Sequence, residues 1–228
     1  MQAFKAIFAR YGTLSLFAVL LASGCATQPQ QYDYAAFKES RPASILVLPP
    51  LNSSLDVSAT NSMLSQVTLP LAESGYYVFP VTLVNETFRQ NGLHNSAEMH
   101  EVGLRKLREI FGADAVLYID IKQYGTTYAV LSSESRVTAE ARLVDLRTER
   151  VLWEGAATAS SAEGRSSGGG LVGMLVSALV NQIVESSTDR SHPIAGITSG
   201  RLLFAGRPNG ILYGPRSPKY QTDGSAQH

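Results

Sequence analysis

The stretch SILVLPPL, Ser44 to Leu51, decides the architecture. Ile45, Leu46, Val47 and Leu48 are apolar without interruption, which calls for a strand covered on both faces. Pro49 and Pro50 end it, because proline brings no ladder donor. Downstream, Met63, Leu64, Val67 and Leu71 fall at helical spacing within Asn61 to Ser74, with Ser58 or Thr60 available as a cap. Pro70 kinks or ends that helix. YYVFPVTLV, Tyr76 to Val84, reads as a second strand broken at Pro80, and Asn85 to Gly92 as a short helical turn or loop. Ala97 to Phe111 predicts a helix with Val102, Leu104, Leu107, Ile110 and Phe111 as its apolar side and Gly112 as C-cap.

Further outward the pattern changes. ADAVLYIDIKQ, Ala113 to Gln123, is another strand, which Tyr128 to Leu131 continues or pairs with after a turn at Gly125. From Arg136 to Leu146, Val137, Ala139, Ala141 and Leu143 point one way while Thr138, Glu140 and Arg142 point the other. That alternation belongs to an antiparallel strand with one wet face. LRTER turns the chain, and Val151 to Thr158 returns as a hairpin partner with Val151 and Trp153 on one face. The order β-α-β-α-β-β-β-α predicts one layered α/β domain with a mixed sheet. From Ser191 onward Pro193, Pro208, Pro215 and Pro218 predict a proline-rich coil, with a short strand near Leu202 to Ala205 or Ile211 to Tyr213.

The front of the chain is of another kind. MQAFKAIFARYG carries Lys5 and Arg10 and no acid; TLSLFAVLLASG, Thr13 to Gly24, is uncharged; Cys25, the single cysteine, follows. A basic region, an apolar region and small residues at a cut site make a secretory signal. Leu14 to Ala22 is shorter than the roughly 20 residues of a permanent span. Leu21-Ala22-Ser23-Gly24-Cys25 resembles the bacterial lipobox, with Leu21 four positions before the cysteine rather than three. The expectation is cleavage between Gly24 and Cys25, then a diacylglyceryl group and an N-acyl chain on Cys25 that anchor the protein in a lipid membrane. A sulfur used in a thioether leaves no thiolate for a disulfide or a metal. Ala26 stands where aspartate would signal inner-membrane retention, which resembles the outer-membrane default, with the domain facing the periplasm. The chain divides into a signal peptide (1–24), a lipidated tether (25–42) whose Tyr32, Tyr34 and Phe37 can dock on the domain edge, and the α/β domain with its proline-rich extension (43–228).

The formal charge is zero and no basic block stands out, so nucleic acid has no electrostatic footprint here. Gly168-Gly169-Gly170 precedes an apolar helix, but Val172, Gly173 and Met174 stand where a phosphate loop needs lysine and a hydroxyl residue. His94 and His100 are six apart and His192 and His228 are isolated, so all four read as solvent-facing, with no metal site. No serine lies in G-x-S-x-G, and Asp120 and Glu140 share at most a wet strand face. The helix from Leu171 to Val184 is apolar nearly all round and must be covered. Burial at the domain centre, another subunit and a membrane surface all answer that demand, and Leu171, Met174, Leu175, Leu179 and Ile183 are the candidate interface. Tyrosine is frequent, which suits interfaces and sheet faces alike. Arg89 and Gln90 in ETFRQNG are candidates for a surface recognition loop, or two ordinary solvated side chains.

YDYAAFKESRP (32–42), SILVLPPLNSS (44–54), LAESGYYVFPV (71–81), ETFRQNG (86–92), VDLRTERVLWEG (144–155) and GGGLVGMLVSALVNQI (168–183) together resemble a family of bacterial lipoproteins first noticed among meningococcal surface-antigen candidates. The resemblance implies a fold similar to the amino-terminal domain of TolB and the periplasmic part of CsgG. It also implies a place in an envelope assembly, secretion or transport system beside CsgG-like lipoproteins, and it brings no catalytic residues to carry onto this sequence; no cofactor is expected. The reading that follows is a non-enzymatic lipoprotein that binds another envelope protein, a CsgG-like lipoprotein or a further copy of itself. The alternative is a binding module for a small envelope ligand such as a glycan or peptidoglycan fragment, which a deep pocket with convergent polar groups would favour. A hydrolase would need a cleft holding paired, perturbed titratable groups.

Overall fold

The structure, a computed structural model, describes residues 32–129, 132–163 and 189–224. The signal peptide, Gly24, Cys25, the helix read at Leu171 to Val184 and His228 lie outside those residues.

The sheet is mixed and open, as the segment order predicts. β1 (Ser44–Val47) pairs in parallel with β3 (Tyr77–Val78) on one side and β4 (Ala115–Ala129) on the other. β5 (Ser132–Asp145) and β6 (Val151–Ser160) continue it antiparallel, giving the order β3-β1-β4-β5-β6. Pro49 and Pro50 interrupt the first strand without turning it away. The chain resumes as β2 (Leu51–Asn52) beside β4, with Leu51 opposite Asp120. The strands expected at Ala113 to Gln123 and beyond Gly125 are one, with a register shift between Ile121 and Gln123.

One face of this sheet is sealed. Ile45, Val47, Leu117, Ile119, Ile121, Val137, Ala139 and Leu143 are all at most 1% exposed. They lie under α2 (Ala59–Gln66) and α7 (Ser191–Leu203), together with α1 (Ala35–Ser40) and the tail residues Ile211 and Leu212. Trp153 joins them because Gly155 lies beside it: a Cβ there would stand 2.2 Å from the indole ring. Leu152 is buried too, while Val151 is exposed, so Val151 and Trp153 do not share a face. The irregularity in the β5–β6 register next to Leu143 is the cause.

Among the described residues, the other face is covered only over β1 and the adjoining ends of β4 and β5. Leu46, Leu48, Val116 and Val144 pack there on Val84, Phe88, Met99 and Leu107 from α4 (Val81–Gln90), α5 (Ser96–His100) and α6 (Leu104–Phe111).

Several local expectations are corrected. After Tyr77 and Val78 the chain turns at Pro80, the N-cap of α4, so Val81 to Val84 is helix and not strand. Proline suits that end because the first helical N–H groups have no intrahelical partner. The helix at Ala97 to Phe111 is two. α5 is capped by Asn95, whose side chain accepts from Glu98 N, and α6 restarts after Gly103 and ends on Gly112 in the left-handed conformation at φ 68°. The helix at Asn61 to Ser74 is likewise α2 followed by α3 (Thr68–Glu73), whose first turn contains Pro70. The coil expected from Ser191 is helix α7, with Ile194, Ala195, Thr198, Ser199, Leu202 and Leu203 buried at helical spacing. Pro193 is tolerated because it stands in the first turn.

The packed unit begins at Tyr32, so residues 32–42 belong to the domain and not to a tether. Tyr34 and Phe37 are buried in the main core, and the Tyr34 hydroxyl donates to Gly210 O at 2.5 Å. The Tyr32 hydroxyl accepts from Glu154 N at 3.1 Å, and Arg201 donates to Thr158 O at 2.7 Å. Both contacts cover parts of the outer edge of β6, which would otherwise offer a ladder to another strand.

Candidate functional site

Where α5 stops at His100, no described element covers the second sheet face. β4 contributes Tyr118, Asp120 and Lys122; β5 contributes Thr138, Glu140 and Arg142; β6 contributes Glu154, Ala156 and Thr158. The register sets Tyr118 opposite Arg142, Asp120 opposite Glu140 and Arg142 opposite Glu154. Apart from Ala156 these positions are polar, so no continuous apolar stripe runs along this face. Tyr118, Asp120, Glu140, Arg142, Glu154 and Ala156 among them floor a groove of about 790 Å³ walled by Leu51 and His100.

The floor is organised. Lys122 Nζ lies 2.5 Å from Asp120 Oδ2 and 3.3 Å from Glu140 Oε2, and both contacts raise its pKa. Ser53 donates to Asp120 Oδ1 at 3.1 Å, and the hydroxyls of Thr138 and Thr158 meet at 3.0 Å. The guanidinium of Arg142 stands 5.3 Å from the centre of the Tyr118 ring, a cation–π distance. The His100 ring meets Tyr118 edge-on at 5.2 Å. Nε2 of His100 lies 2.9 Å from Pro49 O. A carbonyl only accepts, so Nε2 carries the proton and Nδ1 is left as acceptor. Burial holds the His100 pKa below 6.5, against the opposing pull of the Pro49 carbonyl. His100 is therefore a wall of the groove and not a solvent-facing side chain, which corrects the expectation.

His192 is corrected in the same way. Gln66 Nε2 lies 2.9 Å from His192 Nε2, and His192 Nδ1 lies 2.7 Å from Ser62 Oγ. Ser62 in turn donates to the Tyr124 hydroxyl at 2.8 Å, and Tyr124 donates to Asp189 at 2.7 Å. One proton per link satisfies the chain if Gln66 donates to Nε2 and Nδ1–H donates to Ser62. This joins α2, α7 and β4 beneath the sealed face. Although Ser62 beside a histidine suggests a nucleophile, its oxygen is bracketed by His192 and Tyr124 and the residue is 7% exposed, which leaves a carbonyl no approach.

Asp120 and Glu140, the carboxylates singled out from sequence, do meet on the wet face. Both are paired with Lys122 rather than desolvated, the reverse of what a general acid needs. Arg89 and Gln90 occupy the last turn of α4, not a loop, and both are exposed. Gln90 bonds Glu86 at 3.1 Å, so the two face solvent on the helix layer and form no part of the groove. His100, Tyr118, Lys122 and Arg142 were missed as a group. The alternation of β5 marks Arg142 as wet, but its partners depend on register and on a helix end remote in sequence. Among the described residues no three His, Cys, Asp or Glu side chains converge as a metal site, and no helix is long and apolar enough to cross a membrane.

A family model described as "Putative lipoprotein GNA1162-like" matches residues 32–216. The chain is 52% identical over 205 residues to "Putative lipoprotein NMB1124/NMB1162" of Neisseria meningitidis serogroup B, covering 89% of this chain and 94% of that one. The crystal structure of lipoprotein GNA1162 from Neisseria meningitidis matches at 54% identity and a TM-score of 0.52, over 64% of this chain and all of the other.

Proposed function

The chain belongs to the GNA1162-like family of putative lipoproteins, and on that premise we propose that it is a non-enzymatic envelope protein, lipidated on Cys25, that docks a second envelope protein on the open half of its sheet. The lipobox-like residues before Cys25 support the anchor. Ala26 supports the outer membrane, with the domain in the periplasm.

The observation that carries the docking reading is the contrast within one sheet. Its first face is packed throughout, while the second ends in an ordered but uncovered set of Tyr118, Arg142, Asp120, Lys122 and Glu140. Tyrosine and arginine that combine a rigid apolar surface with directed polarity are the residue types that dominate protein interfaces. The mixed signs on the floor favour a partner with charges of both kinds set in register. A CsgG-like lipoprotein is the first partner to test and a second copy of this chain is the competing occupant.

The test is photocrosslinking of the full-length protein in its native envelope. A photoreactive residue replaces Thr138, Glu154 or, on the helix layer, Thr87. The expected outcome is one discrete adduct from the first two positions and none from Thr87. Equal labelling from all three, or monomer alone, overturns the docking reading. Mass spectrometry of the mature amino terminus decides the anchor separately: an unmodified Cys25 thiol defeats it.

A further inference from the structure

The end of the sheet at which β2 stops is unlike the rest of the domain. β2 follows β4 only as far as Asn52, opposite Ile121. β6 reaches β5 only at Arg136, opposite Ser160, with one more bond from Ser161 N to Ser135 O at 2.9 Å. Beyond that, β4 and β5 run on as a two-stranded ribbon. Thr127 pairs with Glu134, Tyr128 with Ser133 and Ala129 with Ser132, with no third strand beside them among the described residues. Between Lys122 and Glu134 the sequence carries no charge. Glu134 itself is bonded to Arg136 and accepts from Ser160 Oγ at 2.5 Å.

Beside the root of the ribbon, the loop after β2 presents Leu55 and Val57, both fully exposed at 103% and 92%. Ser53 N donates to Ile121 O at 2.9 Å and ties the loop to β4. Asn52 Oδ1 accepts from Ser54 N at 2.9 Å, and Asn52 Nδ2 donates to Asp56 O at 2.8 Å. Asp56 Oδ1 accepts from Ser58 N at 2.9 Å and from Ser58 Oγ at 2.7 Å. The polar side chains of the loop are thus engaged within it, and its two aliphatic ones are turned out. Single apolar side chains on a surface are ordinary. Two of them at the foot of an uncharged, projecting ribbon mark one end of the domain as apolar.

We propose that this end of the domain rests on a lipid surface, with Leu55 and Val57 at the boundary of headgroups and acyl chains. The inference takes the lipid anchor on Cys25 proposed above as its premise. The chain from Cys25 to Tyr32 spans at most about 25 Å. From Glu154, which Tyr32 holds, to Ser160 at the root of the ribbon are six residues of strand, about 20 Å. The anchor is therefore long enough to let this end meet the bilayer. Aliphatic side chains hold at that boundary by the apolar area they bury. The ribbon stays at headgroup depth, because hydrocarbon would leave the N–H and C=O groups of its open edges unmatched. A second copy of the chain would need a broad face to pack on, which a loop tip and a narrow ribbon do not offer.

Photocrosslinking to lipid tests the contact. The full-length protein is reconstituted in vesicles of phosphatidylethanolamine and phosphatidylglycerol, with a photoreactive residue in place of Leu55, Thr127 or, on α4, Gln90. Mass spectrometry reads the adducts and the state of Cys25 in the same sample. Phospholipid adducts are expected at Leu55 and Thr127 and not at Gln90. Val57→Asp, at a fully exposed position on which the core does not depend, abolishes the Leu55 adduct, because a carboxylate resists leaving water. Equal lipid labelling at all three positions, protein adducts in place of lipid, or indifference to Val57→Asp each overturns the proposal. A lipidated Cys25 without lipid adducts at Leu55 and Thr127 overturns the contact alone. Adducts formed by a protein whose Cys25 is unmodified uphold the contact and overturn the anchor.

Discussion

The two faces of one sheet are made by the same three strands and differ in almost everything else. On the first, successive inward positions of β4 and β5 are Leu117, Ile119, Ile121, Leu143, Ala141, Ala139 and Val137, all buried. On the second, the intervening positions are Tyr118, Asp120, Lys122, Arg142, Glu140 and Thr138, bonded to one another and open above. Since side chains alternate by strict period two, a strand that seals one core dictates what its reverse presents. The packed face gives the reverse a rigid floor, and the reverse can carry charges without costing the core anything.

Substitutions break or sharpen that comparison in graded order. Leu117→Ala opens a cavity on the sealed face and costs about 2–5 kcal/mol, read as a fall in the urea midpoint at unchanged slope. Ser62→Ala leaves Tyr124 without its donor and His192 without its acceptor, so a loss of about 1–3 kcal/mol is expected from the same measurement. His100, at the boundary between covered and open surface, gives a smaller, pH-dependent effect. Its folded pKa lies below 6.5, so the unfolded chain takes up the proton first. Its contribution is whole above that value and is lost as pH falls toward the folded pKa. His100→Gln therefore flattens the stability profile on the acid side, which denaturation at a series of pH values checks. Glu140→Gln on the open floor changes stability by about 0.5 kcal/mol or less. It nonetheless weakens the Thr138 and Glu154 crosslinks, since it removes a charge from the docking surface.

The same contrast explains what could be read beforehand. The alternation from Val137 to Leu143 gave away β5 and its wet side, and the apolar run from Ile45 to Leu48 announced a doubly covered strand. Helix α7 stayed hidden because its buried side is made of Ala195, Thr198 and Ser199 as well as Ile194 and Leu202, while Pro193, Gly196 and Gly200 argue for coil. Helix α4 hid behind Pro80, which serves as readily for a start as for a break. On the site, Asp120 and Glu140 could be paired by their place on wet strands. That Lys122 bridges them, and that His100 closes the groove, depends on cross-strand register and on where a remote helix ends, which no local pattern encodes.

Tyr32 has a consequence for mechanics. Its hydroxyl holds Glu154 and its backbone N–H holds the Asn209 side chain, so the chain is clamped to the domain from that residue onward. Only the six residues from Ala26 to Gln31 separate it from Cys25. Seven Cα steps reach about 25 Å at full stretch. With Cys25 acylated, the domain would be moored on a leash of no more than that length, which confines it to a layer next to the bilayer. A partner rooted in the same membrane would meet it there by lateral diffusion, at a local concentration far above that of a free periplasmic protein.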